Sequence, residues 1–375
     1  MMERFDRLLL FSIAILGYRP SVAEVKYKLE ELVAPPTTEI RTTGIQALRT
    51  NNRGQVLANV FGYLPDGRGA VRPYLYENGV PHRLEVASTY PEIYSGVLNN
   101  NGMTVCEQYL YLPDLDYEYL IHQDGKFVKK INPKLTIGFE DLADDGTLVG
   151  TYDVQKVDGT GIYRRPATYR NGVRTDLGTF GGRDGYAFGT NNRGQVVGIA
   201  QDVTGREFGC IWQDGSISKV TFRGRDAGPM VISDSGWIAG VQRIVDEPGS
   251  DLEVFVGRGD TYIGYTVSNA FQYFLSAVND DGIAVCGRLR RTPFITDGAM
   301  VFAGGKAELL EDISDAKSVG WSSLTSASDI NKQGDLVGYG IKNGVKRGYI
   351  AHPVPEPATW IAFGAGLLAI SRRRR

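Results

Sequence analysis

The chain has 375 residues, 42% of them hydrophobic, with 41 Lys and Arg against 43 Asp and Glu, a net charge of −2. That is room for one large domain or several ordinary ones, and enough apolar content for a sizeable core, which excludes wholesale disorder. Residues 1–23 carry three Arg, one Glu and one Asp, and the last stretch from Pro355 carries four Arg and one Glu, so the body between holds about −6. A body of that sign argues against a nucleic-acid binder.

The N-terminus opens with Arg4 and Arg7 among Glu3 and Asp6, followed by nine uncharged residues, Leu8 to Leu16, and a short segment ending Ser21-Val22-Ala23. Basic start, apolar run and small residues at −3 and −1 predict a signal peptide over residues 1–23, cleaved after Ala23. The apolar run is too short to span a membrane. Val25 to Leu32 follows as the first predicted strand.

From there the chain repeats. Asn51 to Ala58 (NNRGQVLA), Asn99 to Cys106 (NNNGMTVC), Ala143 to Gly150 (ADDGTLVG), Asn191 to Gly198 (NNRGQVVG), Ser233 to Gly240 (SDSGWIAG), Asn279 to Cys286 (NDDGIAVC) and Asn331 to Gly338 (NKQGDLVG) share one pattern. The turn glycines are Gly54, Gly102, Gly146, Gly194, Gly236, Gly282 and Gly334, spaced 42 to 52 residues apart. Asn or Asp opens each turn by bonding its own backbone, and Gly takes the left-handed position. A short Val/Ile/Leu run then predicts a buried strand. It closes on a residue rarely larger than Cys, which predicts a place where neighbouring sheets approach. Most units add a second hairpin, as in Tyr74 to Val80, Ala167 to Val173 and Cys210 to Ser216, an aromatic strand followed by a polar residue and Gly.

Four strands per 40–50 residues predicts an all-β, seven-bladed β-propeller over residues 24–353, with the N-terminal strand completing the last blade; a β-helix or solenoid is the alternative. The units also resemble the HAF-type extracellular repeat, most strongly at Asp176-Leu177-Gly178-Thr179-Phe180-Gly181-Gly182 followed by Asn191 to Gly198. That resemblance implies a secreted repeat protein and supplies no catalytic residues.

Candidate chemistry is sparse. His82, His122 and His352 lie at no ligand spacing, and no phosphate loop or nucleophile elbow occurs. Acidic pairs at Asp144-Asp145, Asp280-Asp281 and Asp329 with Asp335 could offer oxygens to calcium, but each coincides with a repeat turn that already explains it, so no catalytic, cofactor or metal residue is assigned. Tyr90, Tyr94, Tyr109, Tyr111, Tyr117 and Tyr119 could stack on sugars or simply pack between sheets. Cys106, Cys210 and Cys286 are expected as free thiols, since Cys106 and Cys286 would stand four units apart in a ring.

The tail is the most specific segment. Val354-Pro355-Glu356-Pro357 precedes an apolar run, Ala358 to Ser371, and then Arg372, Arg373, Arg374 and Arg375. The run predicts a helix of about 21 Å, short for a membrane span, with the arginines held on the cytoplasmic side. Residues 354–375 resemble the PEP-CTERM sorting signal of Gram-negative bacteria. The resemblance implies recognition and removal of the tail by an exosortase, with transient anchoring in the inner membrane. The expectation is an exported surface or exopolysaccharide-matrix propeller, a binding or structural module with exopolysaccharide or surface proteins as partners and binding at a propeller face or channel mouth. The alternative is a secreted propeller enzyme acting on polysaccharide, a glycoside hydrolase or lyase.

Overall fold

The structure, a computed structural model, describes residues 26–85, 92–110, 116–131, 138–156, 159–243, 252–267, 271–291 and 294–354. All regular structure among them is β. After β1 (Lys26–Glu31) the first unit holds β2 (Arg41–Thr50), β3 (Val56–Tyr63), β4 (Gly69–Glu77) and β5 (Val80–Arg83). The second holds β6 (Ile93–Leu98), β7 (Met103–Leu110), β8 (Asp116–Gln123) and β9 (Lys126–Ile131), and the third β10 (Gly138–Leu142), β11 (Leu148–Gln155), β12 (Ile162–Arg170) and β13 (Val173–Asp176). The fourth holds β14 (Gly181–Thr190), β15 (Val196–Asp202), β16 (Glu207–Gln213) and β17 (Ser216–Lys219), then a short hairpin, β18 (Thr221–Phe222) and β19 (Arg225–Asp226). The fifth holds β20 (Gly228–Ile232), β21 (Ile238–Arg243), β22 (Leu252–Arg258) and β23 (Thr261–Val267), and the sixth β24 (Phe271–Val278), β25 (Ala284–Arg291), β26 (Phe294–Ala303) and β27 (Lys306–Leu309). The seventh repeat holds β28 (Trp321–Ile330), β29 (Leu336–Lys342) and β30 (Val345–Val354).

The sheets form a β-propeller arrangement of antiparallel meanders. Five blades stand as separate four-stranded sheets, and this corrects the expectation of seven. The first and seventh repeats are joined in one eight-stranded sheet by a single parallel pair, Gly44 with Lys346. Gly44 has no side chain, and a Cβ there would stand 3.3 Å from Lys346 Cβ, so β2 can close on β30 at that point. One apolar cluster fills the seam, with Leu32, Ile45, Ala47, Val337 and Ile350 all in it. The N-terminal strand lies where the sequence pattern suggested: β1 pairs antiparallel with β30 from Lys26–Val354 to Glu31–Tyr349. Among the described residues the sheets are antiparallel meanders with no stack of parallel coils, so the β-helix alternative falls away.

Both hairpin types follow from the turn residues. All seven turn glycines have φ between 73° and 88°, and each donates its N–H back to the first residue of its turn. In the second hairpins, Asn78-Gly79, Asp124-Gly125, Asn171-Gly172, Asp214-Gly215 and Asn343-Gly344 have positive φ at both positions. That is the type I′ geometry that matches strand twist.

The small residue that closes each repeat has a different cause from the one expected. A Cβ on Gly150, Gly198, Gly240 or Gly338 would fall about 2 Å from a carbonyl oxygen, that of Gly138, Tyr186, Gly228 or Ser326 respectively. Each of those carbonyls belongs to the innermost strand of the same sheet. The pressure therefore comes from within the blade, not from its neighbour.

Candidate functional site

The site is built by one device used seven times. The innermost strands β2, β6, β10, β14, β20, β24 and β28 each carry a register break just before the Asn turn: Ala47/Arg49, Ser95/Val97, Phe139/Asp141, Ala187/Gly189, Pro229/Val231, Leu275/Ala277 and Ala327/Asp329. A bulge adds a residue to one strand and re-aims the side chains around it. Here Arg49, Glu140, Asp141, Phe188, Ser276 and Asp329, all at or beside the breaks, line one central cavity of about 180 Å³.

Above the bulges the turns are bonded to one another in a closed ring. The Asn51 side-chain amide donates to the carbonyl of Asn99 at 3.0 Å, Asn99 to Ala143 at 3.0 Å, Asn191 to Ser233 at 3.0 Å, Asn279 to Asn331 at 3.4 Å and Asn331 back to Asn51 at 3.3 Å. Ala143 and Ser233 have no amide to give. Those junctions are bridged by the Asp144 N–H to Asn192 Oδ1 at 2.8 Å and the Ser235 N–H to Asp280 Oδ1 at 2.7 Å. The carbonyl oxygen of each Asn amide faces the other way: Asn99 Oδ1 accepts the N–H groups of Asn101 at 3.1 Å and Met103 at 2.9 Å within its own turn. These asparagines are buried, Asn51 at 2% and Asn331 at 4% exposure, so each amide settles polar groups that water does not reach.

The cavity is acidic. Glu140, Asp141, Asp144, Asp234, Asp280 and Asp329 line it with two cations, Arg49 and Lys332. Asp329 is held by the N–H groups of Thr50 at 2.9 Å and Ile330 at 2.8 Å, and Asp141 by those of Thr190 at 2.8 Å and Leu142 at 2.8 Å. Each carboxylate thus staples its own unit to the next. Burial pushes Asp329 up to about 6, helped by the Asp141 charge and opposed by Arg49 and the two N–H groups. Burial also raises Asp141 and Glu140, with Arg49 again opposing. At the mouth, the Asn192 amide reaches Asp144 at 2.7 Å and Asp234 at 2.9 Å.

The acidic pairs singled out in the sequence separate here. Asp144 and Asp280 reach the cavity. Asp145 turns away to Arg170 at 2.6 Å, and Asp335 to Asn331 and His352, the latter at 2.8 Å. Among the described residues no group of three His, Cys, Asp or Glu is placed to hold a metal ion. His122 is buried, with Nε2 2.6 Å from the Glu85 carbonyl, while His82 sits on the short strand β5. Cys106, Cys210 and Cys286 are buried free thiols in three separate apolar clusters, and burial pushes Cys106 up to about 12. Tyr119 is buried with its ring edge on Phe139, so it packs and is not presented. Tyr90 and Tyr111 lie outside the described residues, as do the signal peptide with its cleavage after Ala23 and the tail from Pro355 to Arg375, including its expected helix. Among the described residues no helix is long and apolar enough to cross a membrane. Sequence reading missed Arg49, Glu140 and Asp141, because only the bulges bring them together.

The PEP-CTERM protein-sorting motif matches residues 353–375. That motif implies processing by an exosortase and export toward the cell surface. No curated protein matches the chain. Among solved structures, the β-propeller domain of the Trilobed protease from Pyrococcus furiosus is 10% identical, with a TM-score of 0.41 over 73% of this chain and 97% of that one. TolB from Acinetobacter baumannii is 13% identical, with a TM-score of 0.41 over 84% of this chain and 64% of that one. Likeness of this degree says nothing of ligand or activity.

Proposed function

We propose that the chain is an exported module of the cell surface or exopolysaccharide matrix, acting by binding or as structure. The observation that carries this reading is the sorting motif over residues 353–375, which begins in the last two residues of β30. In this reading residues 1–23 are a signal peptide, the tail anchors transiently in the inner membrane until the exosortase acts, and the HAF-like repeats form the extracellular body. A body whose turns are bonded in a closed ring suits exposure outside the cell, because no single turn can open without breaking bonds to both neighbours. The polysaccharide-active enzyme is less well supported. The Asp141 and Asp329 oxygens are already engaged by backbone N–H groups.

The test is labelling of intact cells with antibody to the body, comparing wild type with Glu356→Ala and with cells lacking the exosortase. Surface label in the wild type that falls in both comparisons supports the reading. Equal label in all three overturns it.

A further inference from the structure

Units three and four carry a second groove, at the end of the strands away from the Asn turns. β11 leaves its turn at Leu148, so Tyr152, Val154 and Lys156 stand at or beyond its far half. On β12, Arg165 pairs across from Tyr152 and Tyr163 from Val154. With Gly182 and Arg183 at the start of β14 these residues enclose an open cleft of about 660 Å³. Three of its seven lining residues are cations, two are tyrosines, and none is a carboxylate.

The cations are not equivalent. Asp176 binds Arg165 through two bonds of 2.9 and 3.0 Å, and accepts the Tyr152 hydroxyl at 2.8 Å. Arg165 is therefore neutralised and fixes the wall. Lys156 and Arg183 meet no carboxylate among the described residues. Their charged groups lie 5.3 and 5.0 Å from the centre of the Tyr163 ring, and Arg183 also donates to the Tyr163 hydroxyl. An aromatic face steadies a cation without cancelling its charge, so two positive charges remain free to meet a ligand.

We infer that this cleft binds an anionic polysaccharide, one whose sugars bear carboxylate or sulfate groups. Lys156 and Arg183 recognise the charge, while Tyr163, which carries both cations, and Tyr152, whose ring is covered by the Arg174 guanidinium at 3.9 Å, form the walls that hold them in place. Two uncompensated cations suit a chain with about one charge per sugar. Duplex DNA carries one charge per about 1.7 Å of axis and would meet a body of about −6. The inference rests on the surface-module reading above, whose ligand class it names.

The experiment is titration of the protein purified in its exported form with polygalacturonate, dextran sulfate, neutral dextran and duplex DNA. Binding to at least one of the two anionic polysaccharides, weakening as salt rises and absent with neutral dextran, is expected. The double variant Lys156→Gln with Arg183→Gln should lose at least about tenfold in affinity while keeping the wild-type unfolding midpoint. Arg68→Gln, in an exposed pair with Asp66 of unit one, should lose nothing. Failure of both anionic polysaccharides to bind, unchanged affinity in the double variant, or tighter binding of DNA overturns the inference. Wild-type chain found on the cell surface in the same preparation shows that such a failure belongs to the cleft alone; its absence there removes the parent reading as well.

Discussion

Replacing Asn99 by Ala is the sharpest perturbation of the ring of turns. The substitution deletes two bonds accepted from the Asn101 and Met103 N–H groups and one donated to the Ala143 carbonyl. At about 1 kcal/mol net for each bond, the loss is about 3 kcal/mol, or roughly two orders of magnitude in the folding constant. Asn99 is only 4% exposed, so water does not easily take over the three orphaned groups. Asn99→Asp separates the two functions of the amide. It keeps an acceptor for the turn but loses the donor to unit three and sets a negative charge beside a carbonyl. Urea unfolding should place both variants below wild type. Hydrogen exchange at the Met103 amide should accelerate strongly in Asn99→Ala and little in Asn99→Asp. A loss under about 0.5 kcal/mol for Asn99→Ala would refute the claim that these amides hold the units together.

Three further outcomes follow from the same geometry. Gly198→Ala puts a Cβ 2.0 Å from the Tyr186 carbonyl and 2.9 Å from the Trp212 ring, and should cost about 3 kcal/mol in urea unfolding; wild-type stability would mean that β14 and β15 do not meet as described. Deleting residues 24–33 leaves β30 paired with β29 but strips its other edge of β1, together with the 2.8 Å bond from the Leu29 N–H to Asp315, so size-exclusion chromatography should show association through the bared edge, and an unchanged monomer would contradict it. Because the Asp329 pKa is raised in the fold, its protonated form favours the folded state. Its contribution is complete below the unfolded value near 3.8 and is lost as pH rises through about 6, at most about 3 kcal/mol before cavity water reduces it. Asp141 and Glu140 act in the same direction, so stability measured from about pH 4 to 6 should fall less steeply in Asp329→Asn than in wild type; an equal slope would deny Asp329 this role.

What the sequence made legible is local. The Asn-x-x-Gly turn is written in adjacent residues, since Asn bonds its own turn and Gly supplies the positive φ, and Asn78-Gly79 and its counterparts are equally self-contained. The pairing of β1 with β30 could be anticipated because the seventh repeat lacks an outer strand. What stayed hidden depends on neighbours. The outward half of each Asn amide has a partner 42 to 52 residues away, or 280 for Asn331 and Asn51, and nothing in the turn itself names it. Bulges leave no residue mark, so Asp329 and Asp335, six residues apart, looked like one acidic pair. The register break at Ala327/Asp329 sends the first to the cavity, while the second stays with its turn and His352. The single pair at Gly44 and Lys346, which merges two repeats into one sheet, is likewise a tertiary event that repeat counting cannot see.

We read residues 353–375 as an address and the β body as what is delivered. Intact mass of the protein recovered from the surface of exosortase-competent cells tests it most directly. The expected mass lacks the apolar run and the four terminal arginines, with the tail retained in cells without the exosortase. A surface protein that keeps Arg372 to Arg375 in both cells would contradict it.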